Sequence, residues 1–297
     1  MRLHLPATAL SIIFALSITA QAEEPTPPTM GQVLEQASAE DWAQFDSDHL
    51  YYMELETGRV IIATSPDYAP IHAENISKLA QEKFYDGLNI YRVQENYVVQ
   101  WGDIDETRET KQGKRGIPAE FERSNVSDLP FTQLLDADGY AEQVGFSGPF
   151  YTARLKDQSK GWLAHCPGAL GMARDTDPNS GGTELYVVIG HAPRHLDRNT
   201  TVFGRVVWGM EHLSTMKRGT GPLGFYEDAG QRIPLKSIRL ESDVPESEQT
   251  KLEYFRTDTT AFSQLVESRR NRHEDWYHYA AGHVELCNVP IPVREVE

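Results

Sequence analysis

Short apolar runs of strand length, each closed by turn residues, constrain this chain more than any other feature. Leu50-Tyr51-Tyr52-Met53-Glu54-Leu55 is one such run. Thr57-Gly58 turns it, and Arg59-Val60-Ile61-Ile62-Ala63 returns, which is the pattern of a β-hairpin. Residues 90–103 read as strand, turn and strand, with Glu95-Asn96 as the polar break. Further strands are expected over 170–173 and 184–189, joined by a Gly-rich loop over 175–182, and over 201–207 and 233–240. Two helices interrupt the series. Pro70 opens the first, as proline favours a first helical position, and Ile76, Leu79, Ala80 and Phe84 follow near helical spacing until Tyr85-Asp86-Gly87. The second spans 209–218 with Met210, Leu213 and Met216 inward. Many short strands with two helices imply a mainly β fold, a closed or sandwiched antiparallel sheet.

The flanks read differently. Residues 23–29 form a Pro-rich leader, and 30–39 a short helix with Val33, Leu34 and Ala37 on one face. Residues 104–162 are polar and irregular, broken by Gly113, Gly116, Gly139, Gly145, Gly148 and Gly161, and parts of them read as a surface insertion. From about 241 the tail reads as a separate unit: a charged helix over 261–279, then an extended stretch from Cys287 to Val293, where Pro290 and Pro292 block a helix. The charged stretch 268–275 is a solvated face or a docking surface. The domain reading is therefore 1–22, 23–48, 49–240 with the insertion inside 104–162, and 241–297.

The first of these segments has the form of a secretion signal. Met1-Arg2-Leu3-His4 gives a positive start, residues 7–20 are mostly apolar, and Ala20-Gln21-Ala22 fits a small-x-small cleavage site. The other reading, a membrane anchor, needs about 20 apolar residues, and this run is shorter. The expected location is periplasmic or secreted, with no membrane span after cleavage. A net charge of −16 argues against nucleic acid or an anionic membrane as the main partner. In an oxidising compartment Cys166 and Cys287 pair, or else they are two separate buried thiols. Neither has metal-ligand spacing. The acidic cluster Asp103, Asp105, Glu106 reads as a solvated loop, so no metal site is expected.

Arg92 lies inside an apolar and aromatic run, with Gln100 eight residues on. Taken alone, it is a surface cation whose stem covers a strand face. Its neighbours change that reading. Phe84-Tyr85-Asp86-Gly87, Tyr91-Arg92-Val93, Tyr97-Val98-Val99-Gln100, Gly102-Asp103, Gly168-Ala169-Leu170-Gly171-Met172-Ala173-Arg174, Thr183-Glu184-Leu185-Tyr186-Val187-Val188, Leu196-Asp197 and Val202-Phe203-Gly204 form an ordered set. Over roughly residues 49–240 that set resembles the cyclophilin family of peptidyl-prolyl cis-trans isomerases. The resemblance implies an eight-stranded antiparallel β-barrel capped by two helices, with the tail as an extension. It implies isomerisation of X-Pro bonds in proline-containing peptides and unfolded exported proteins, without a cofactor.

By the same resemblance Arg92 is the catalytic donor and Gln100 positions it or holds a substrate carbonyl. Tyr97, Val98, Tyr186 and Leu196 wall the proline pocket, Ala173 and Arg174 run beside the peptide backbone, and Glu184 and His195 complete the groove. The chain departs from the family's usual residues at several of these positions. Tyr97 and Tyr186 stand where phenylalanine is common, Val98 where methionine is usual, and Glu184 for glutamine, from where it either pairs with Arg92 or orients it. His195 replaces a tryptophan found in some members, Thr200 a histidine, and Trp101 a glycine. His165 is expected to make a structural hydrogen bond. Alternatives to an active isomerase are a non-catalytic peptide-binding module or chaperone using the same groove, and a docking role for the insertion and tail.

Overall fold

The computed structural model describes residues 27–296, so the expected signal segment 1–22 lies outside the described residues. Its main sheet has nine antiparallel strands in the order Ile233–Pro234, Asn89–Val93, Val98–Gly102, Leu185–Val188, Ala169–Met172, Val202–Trp208, Arg59–Thr64, Leu50–Glu54, Ser237–Leu240. The two edge strands are halves of one run. Between them the Leu235 N–H donates to the Leu88 carbonyl and the Lys236 N–H to the Glu54 carbonyl, both at 2.9 Å. One stretch of chain thus binds both edges, and eight runs close into a barrel with no free edge.

Alternation, broken at bulges, fills the interior. Met53, Val60, Ile62, Val99, Trp101, Leu170, Met172, Leu185, Val187 and Phe203 form one buried cluster, as period-two strands place every second side chain inward. Helix Pro70–Gln81 caps the barrel with Ile76, Leu79 and Ala80. Helix Met210–Ser214 adds Leu213. It is shorter than the spacing predicts: the Met216 N–H turns to the Leu213 carbonyl at 3.3 Å, three residues back, and the last turn tightens.

The stretch 104–162 corrects the sequence expectation of an irregular segment. It supplies most of a five-stranded sheet ordered Arg123–Ser124, Lys160–Leu163, Phe150–Arg154, Gln143–Ser147, Thr132–Leu134. Its glycines read as breaks, but Gly145 lies inside a strand where a Cβ would strike the Thr132 carbonyl. The tail is likewise no separate unit. Val144, Phe146, Ala153 and Trp162 share a core with Phe255, Phe262, Leu265 and Leu286. Strand Leu252–Phe255 pairs with Trp42–Gln44 on one side and Val293–Glu295 on the other. The tail helix is Thr260–Arg270 and stops well before 279. Asp136 of the insertion holds Arg270 at 2.6 Å and the Val284 N–H at 3.0 Å, drawing the chain back after the helix.

Cys166 and Cys287 form a disulfide across 121 residues of sequence. It ties the tail to the residues just before strand Ala169–Met172. A disulfide typically stabilises a fold by about 2–4 kcal/mol. Replacing both cysteines by serine is therefore expected to lower the urea midpoint, read by tryptophan fluorescence without reductant. An unchanged midpoint would show that the apolar contacts of the tail suffice.

Candidate active site

Arg92 owes its direction to a break in register. Pairing of Asn89–Val93 with Val98–Gly102 shifts between Ile90 and Arg92. Ile90 and Val93 both enter the barrel core. Two consecutive residues, Tyr91 and Arg92, are left to reach Gln100 on the outer surface, the usual effect of a bulge. Across the sheet Arg92 pairs with Gln100, Gln100 with Tyr186 and Tyr186 with Gly171, so a row of outward positions crosses four strands and ends on a glycine.

The Arg92 guanidinium is fixed on three sides. Nε donates to the Leu223 carbonyl at 2.8 Å and Nη1 to Gln100 Oε1 at 3.1 Å, while Nη2 donates to Gln94 Oε1. Its carbon lies 5.2 Å from the Phe225 ring centre and 5.6 Å from that of Tyr97, a cation–π arrangement. Burial pulls its pKa below the ordinary value, but a guanidinium stays charged in proteins. Gln100 is oriented in turn, its Nε2 donating to the Tyr91 hydroxyl at 2.6 Å.

Glu184 does not pair with Arg92. Its Oε1 accepts the Asp103 N–H at 2.7 Å, and Oε2 is buried with no hydrogen-bond partner among the described residues. Burial raises its carboxyl pKa. Burial, and then the charge of Glu184, raises that of the Tyr91 phenol. A carboxyl raised in the folded state contributes its full stability below the unfolded value of about 4.3 and loses it as pH rises through the folded value. Glu184→Gln keeps the acceptor and removes the charge. The variant is expected to match the wild-type melting temperature near pH 4 and to exceed it by about 2 °C at pH 7.5, corresponding to ~1 kcal/mol. A variant less stable than wild type at pH 7.5 would contradict this account.

The other candidate residues divide. Val98 and Tyr186 are only 2 % and 5 % exposed. They form one cluster with Leu163 of the insertion sheet and with Val126, just beyond its strand Arg123–Ser124, against which Tyr97 and Ala173 pack while half-exposed. The Tyr186 ring lies over Gly171, where any Cβ would overlap it. Leu196, in the turn Arg194–Leu196, accepts the Thr200 N–H at 3.2 Å. Arg174 donates twice to the Asn199 carbonyl, at 3.0 and 2.8 Å, and lies over the Phe121 ring. His195 is exposed, on a hollow it shares with Phe121, Tyr140 and Asn199.

Trp101 is fully buried inside the barrel, its Nε1 without a partner among the described residues. Sequence reasoning missed Gln94, Leu223 and Phe225. Gln94 sits two residues beyond Arg92, so strand periodicity contained that signal. Phe225 lies in a Gly-rich loop 133 positions away, the difference of 225 and 92, with no pattern linking it to Arg92.

Comparison with known proteins identifies the class. Residues 50–242 match the family model described as cyclophilin type peptidyl-prolyl cis-trans isomerase/CLD, and the chain belongs to that family. A Brucella abortus protein named "Probable peptidyl-prolyl cis-trans isomerase" is 28 % identical over 201 residues, covering 67 % of this chain and 86 % of its own length. Peptidyl-prolyl cis-trans isomerase B of Bacillus subtilis is 30 % identical over 170 residues, covering 57 % of this chain and 90 % of its own. The crystal structure of a cyclophilin from Hirschia baltica superposes with a TM-score of 0.71 at 24 % identity, covering 91 % of this chain and 98 % of that one. It shares the fold over nearly the whole molecule, insertion and tail included.

Proposed function

We propose that the groove at Arg92 binds X-Pro segments of unfolded polypeptides and isomerises them by donation to the prolyl nitrogen. Amide resonance sets a barrier of about 18–20 kcal/mol. Twisting the bond localises a lone pair on that nitrogen, so a fixed cationic donor there binds the twisted amide better than either planar form. The observation that carries this reading is the tethering of Arg92. Three of its N–H groups are engaged by Leu223, Gln100 and Gln94. A guanidinium has five, so two remain for substrate in a plane already set. Tyr97, Ala173 and Leu196 offer apolar surface for the proline ring above the buried Tyr186 and Val98.

The setting is periplasmic or secreted, in folding of exported proteins. What supports this is the signal-like segment 1–22, together with a disulfide that suits an oxidising compartment. The test is the cis-to-trans rate of a short X-Pro peptide with and without purified protein, beside fractionation of expressing cells. Acceleration and recovery outside the cytoplasm are expected. Peptide binding without acceleration would instead make the groove a binding module, and protein confined to the cytoplasm would defeat the export reading.

A further inference from the structure

A buried chain of polar groups approaches this groove from behind. It begins at Asp138, which accepts two N–H bonds from Arg194 at 2.9 and 3.2 Å. Arg194 Nε donates to Asp197 Oδ2 at 2.6 Å. Asp197 Oδ1 accepts the His165 backbone N–H at 3.0 Å and faces His165 Nδ1 at 2.8 Å. His165 Nε2 then lies 2.8 Å from the Tyr186 hydroxyl and 3.0 Å from the Thr200 hydroxyl, and those two hydroxyls are 2.7 Å apart. His165 is wholly buried, and Arg194, Asp197 and Tyr186 nearly so, while Thr200 is half-exposed.

This order fixes where the protons are. A carboxylate that already holds Arg194 acts as an acceptor, so the Nδ1 hydrogen is directed at Asp197, and with that tautomer Nε2 offers its lone pair to the hydroxyls. Nε2 and the two hydroxyls form a triangle with three edges and only two protons. Either Tyr186 donates to His165 and Thr200 to Tyr186, or Thr200 donates to His165 and Tyr186 to Thr200. Both arrangements engage both protons inside the triangle. Thr200 turns only lone pairs outward.

We propose that Asp197 and His165 are positioning residues of the isomerase groove: they anchor the Tyr186 ring by its hydroxyl and turn the Thr200 proton inward, so that Thr200 meets the peptide as an acceptor for a backbone N–H. This rests on the reading of the groove given above. It assigns a use to two of the three positions where this chain adds a hydroxyl to the site, Tyr97 being the third. It also gives the site a preference: a peptide whose facing nitrogen is methylated loses the bond to Thr200.

The two amide replacements at His165 separate its two bonds. Asn reaches the Nδ1 position and keeps the donor to Asp197, and Gln places its amide where Nε2 lies. His165→Asn is expected to lower kcat/KM about tenfold, mainly through KM, since one lost hydrogen bond is worth about 1.4 kcal/mol. His165→Gln should recover most of it. In a Tyr186→Phe, Thr200→Val background, where no hydroxyl remains to be held, His165→Asn should change kcat/KM less than twofold. An equal penalty in both backgrounds, or no recovery by Gln, would overturn the proposal. If His165→Asn fails to fold, Thr200→Val carries the test alone: it should raise KM for an unmodified peptide and leave it unchanged for the N-methylated one, and a wild-type KM for the unmodified peptide overturns the proposal. Arg92→Ala is assayed alongside; full activity in that variant would fault the reading of the groove and not the role of His165.

Discussion

Arg92→Ala is expected to reduce kcat/KM for X-Pro isomerisation by roughly 10²- to 10³-fold, the usual loss when one oriented donor to a developing lone pair is removed. Each tenfold corresponds to about 1.36 kcal/mol of lost transition-state binding. Little of that loss should appear in stability. The guanidinium is half-exposed, and the three oxygens it bonds are neutral groups, of which only that of Gln100 belongs to a buried residue, so water can replace it. Arg92→Lys gives the sharper comparison. Lysine keeps the charge but is a point donor on a flexible stem; it cannot satisfy Leu223, Gln100 and Gln94 and still present a fixed donor. It should therefore fall nearer to alanine than to wild type. Activity assays with matched melting curves on all three proteins decide this. If alanine keeps wild-type activity, the twisted amide is stabilised elsewhere.

Asp197→Ala should be the most destabilising single change near the groove, by about 3–5 kcal/mol, the typical result of removing one member of a buried charged pair. The carboxylate accepts from Arg194, from His165 twice and from the Trp162 indole at 3.3 Å. Burial pushes its pKa up, but the hydrogen bond from His165 and the charge of Arg194 outweigh burial and hold it low. A carboxyl lowered in the folded state contributes stability above the unfolded value of about 3.9 and loses it as pH falls through the folded value. Asp197→Asn, close to isosteric, should therefore differ most from wild type at pH 7 and converge with it as the pH drops below about 4. A gap that stays constant with pH would mean that shape, not charge, is what residue 197 supplies.

The barrel was legible because its strands obey two local rules. Leu50–Glu54 and Arg59–Thr64 alternate around a glycine turn, and Asn96, at the polar break after Arg92, takes a positive φ of 53°. The order of the blocks around Arg92, Gln100 and Tyr186 pointed to the family. The second core was not legible. Phe146 and Ala153 pack against Phe255 and Phe262, roughly a hundred residues further on, and no short window records such a contact. The setting of Arg92 failed for the same reason, as Leu223 and Phe225 arrive on a distant loop. Whether Glu184 pairs with Arg92 or orients it stays open in the sequence, which gives the residue and its strand but not the direction of the carboxylate. In sequence His165 is a structural hydrogen-bonding residue and Thr200 a replacement for a histidine, and only their meeting at the Tyr186 hydroxyl gives them a joint role.

The run that closes the barrel also sets the order in which this molecule is completed. Leu50–Glu54 has its second neighbour only once Ser237–Leu240 exists, and Trp42–Gln44 waits for Leu252–Phe255. The disulfide waits longer still, for Cys287. A chain made or translocated from its N-terminus therefore carries an open sheet edge for some two hundred residues of growth. Such non-local pairing folds slowly and is exposed to aggregation while it waits. This isomerase is thus itself a demanding client, finished only when nearly all of it has emerged.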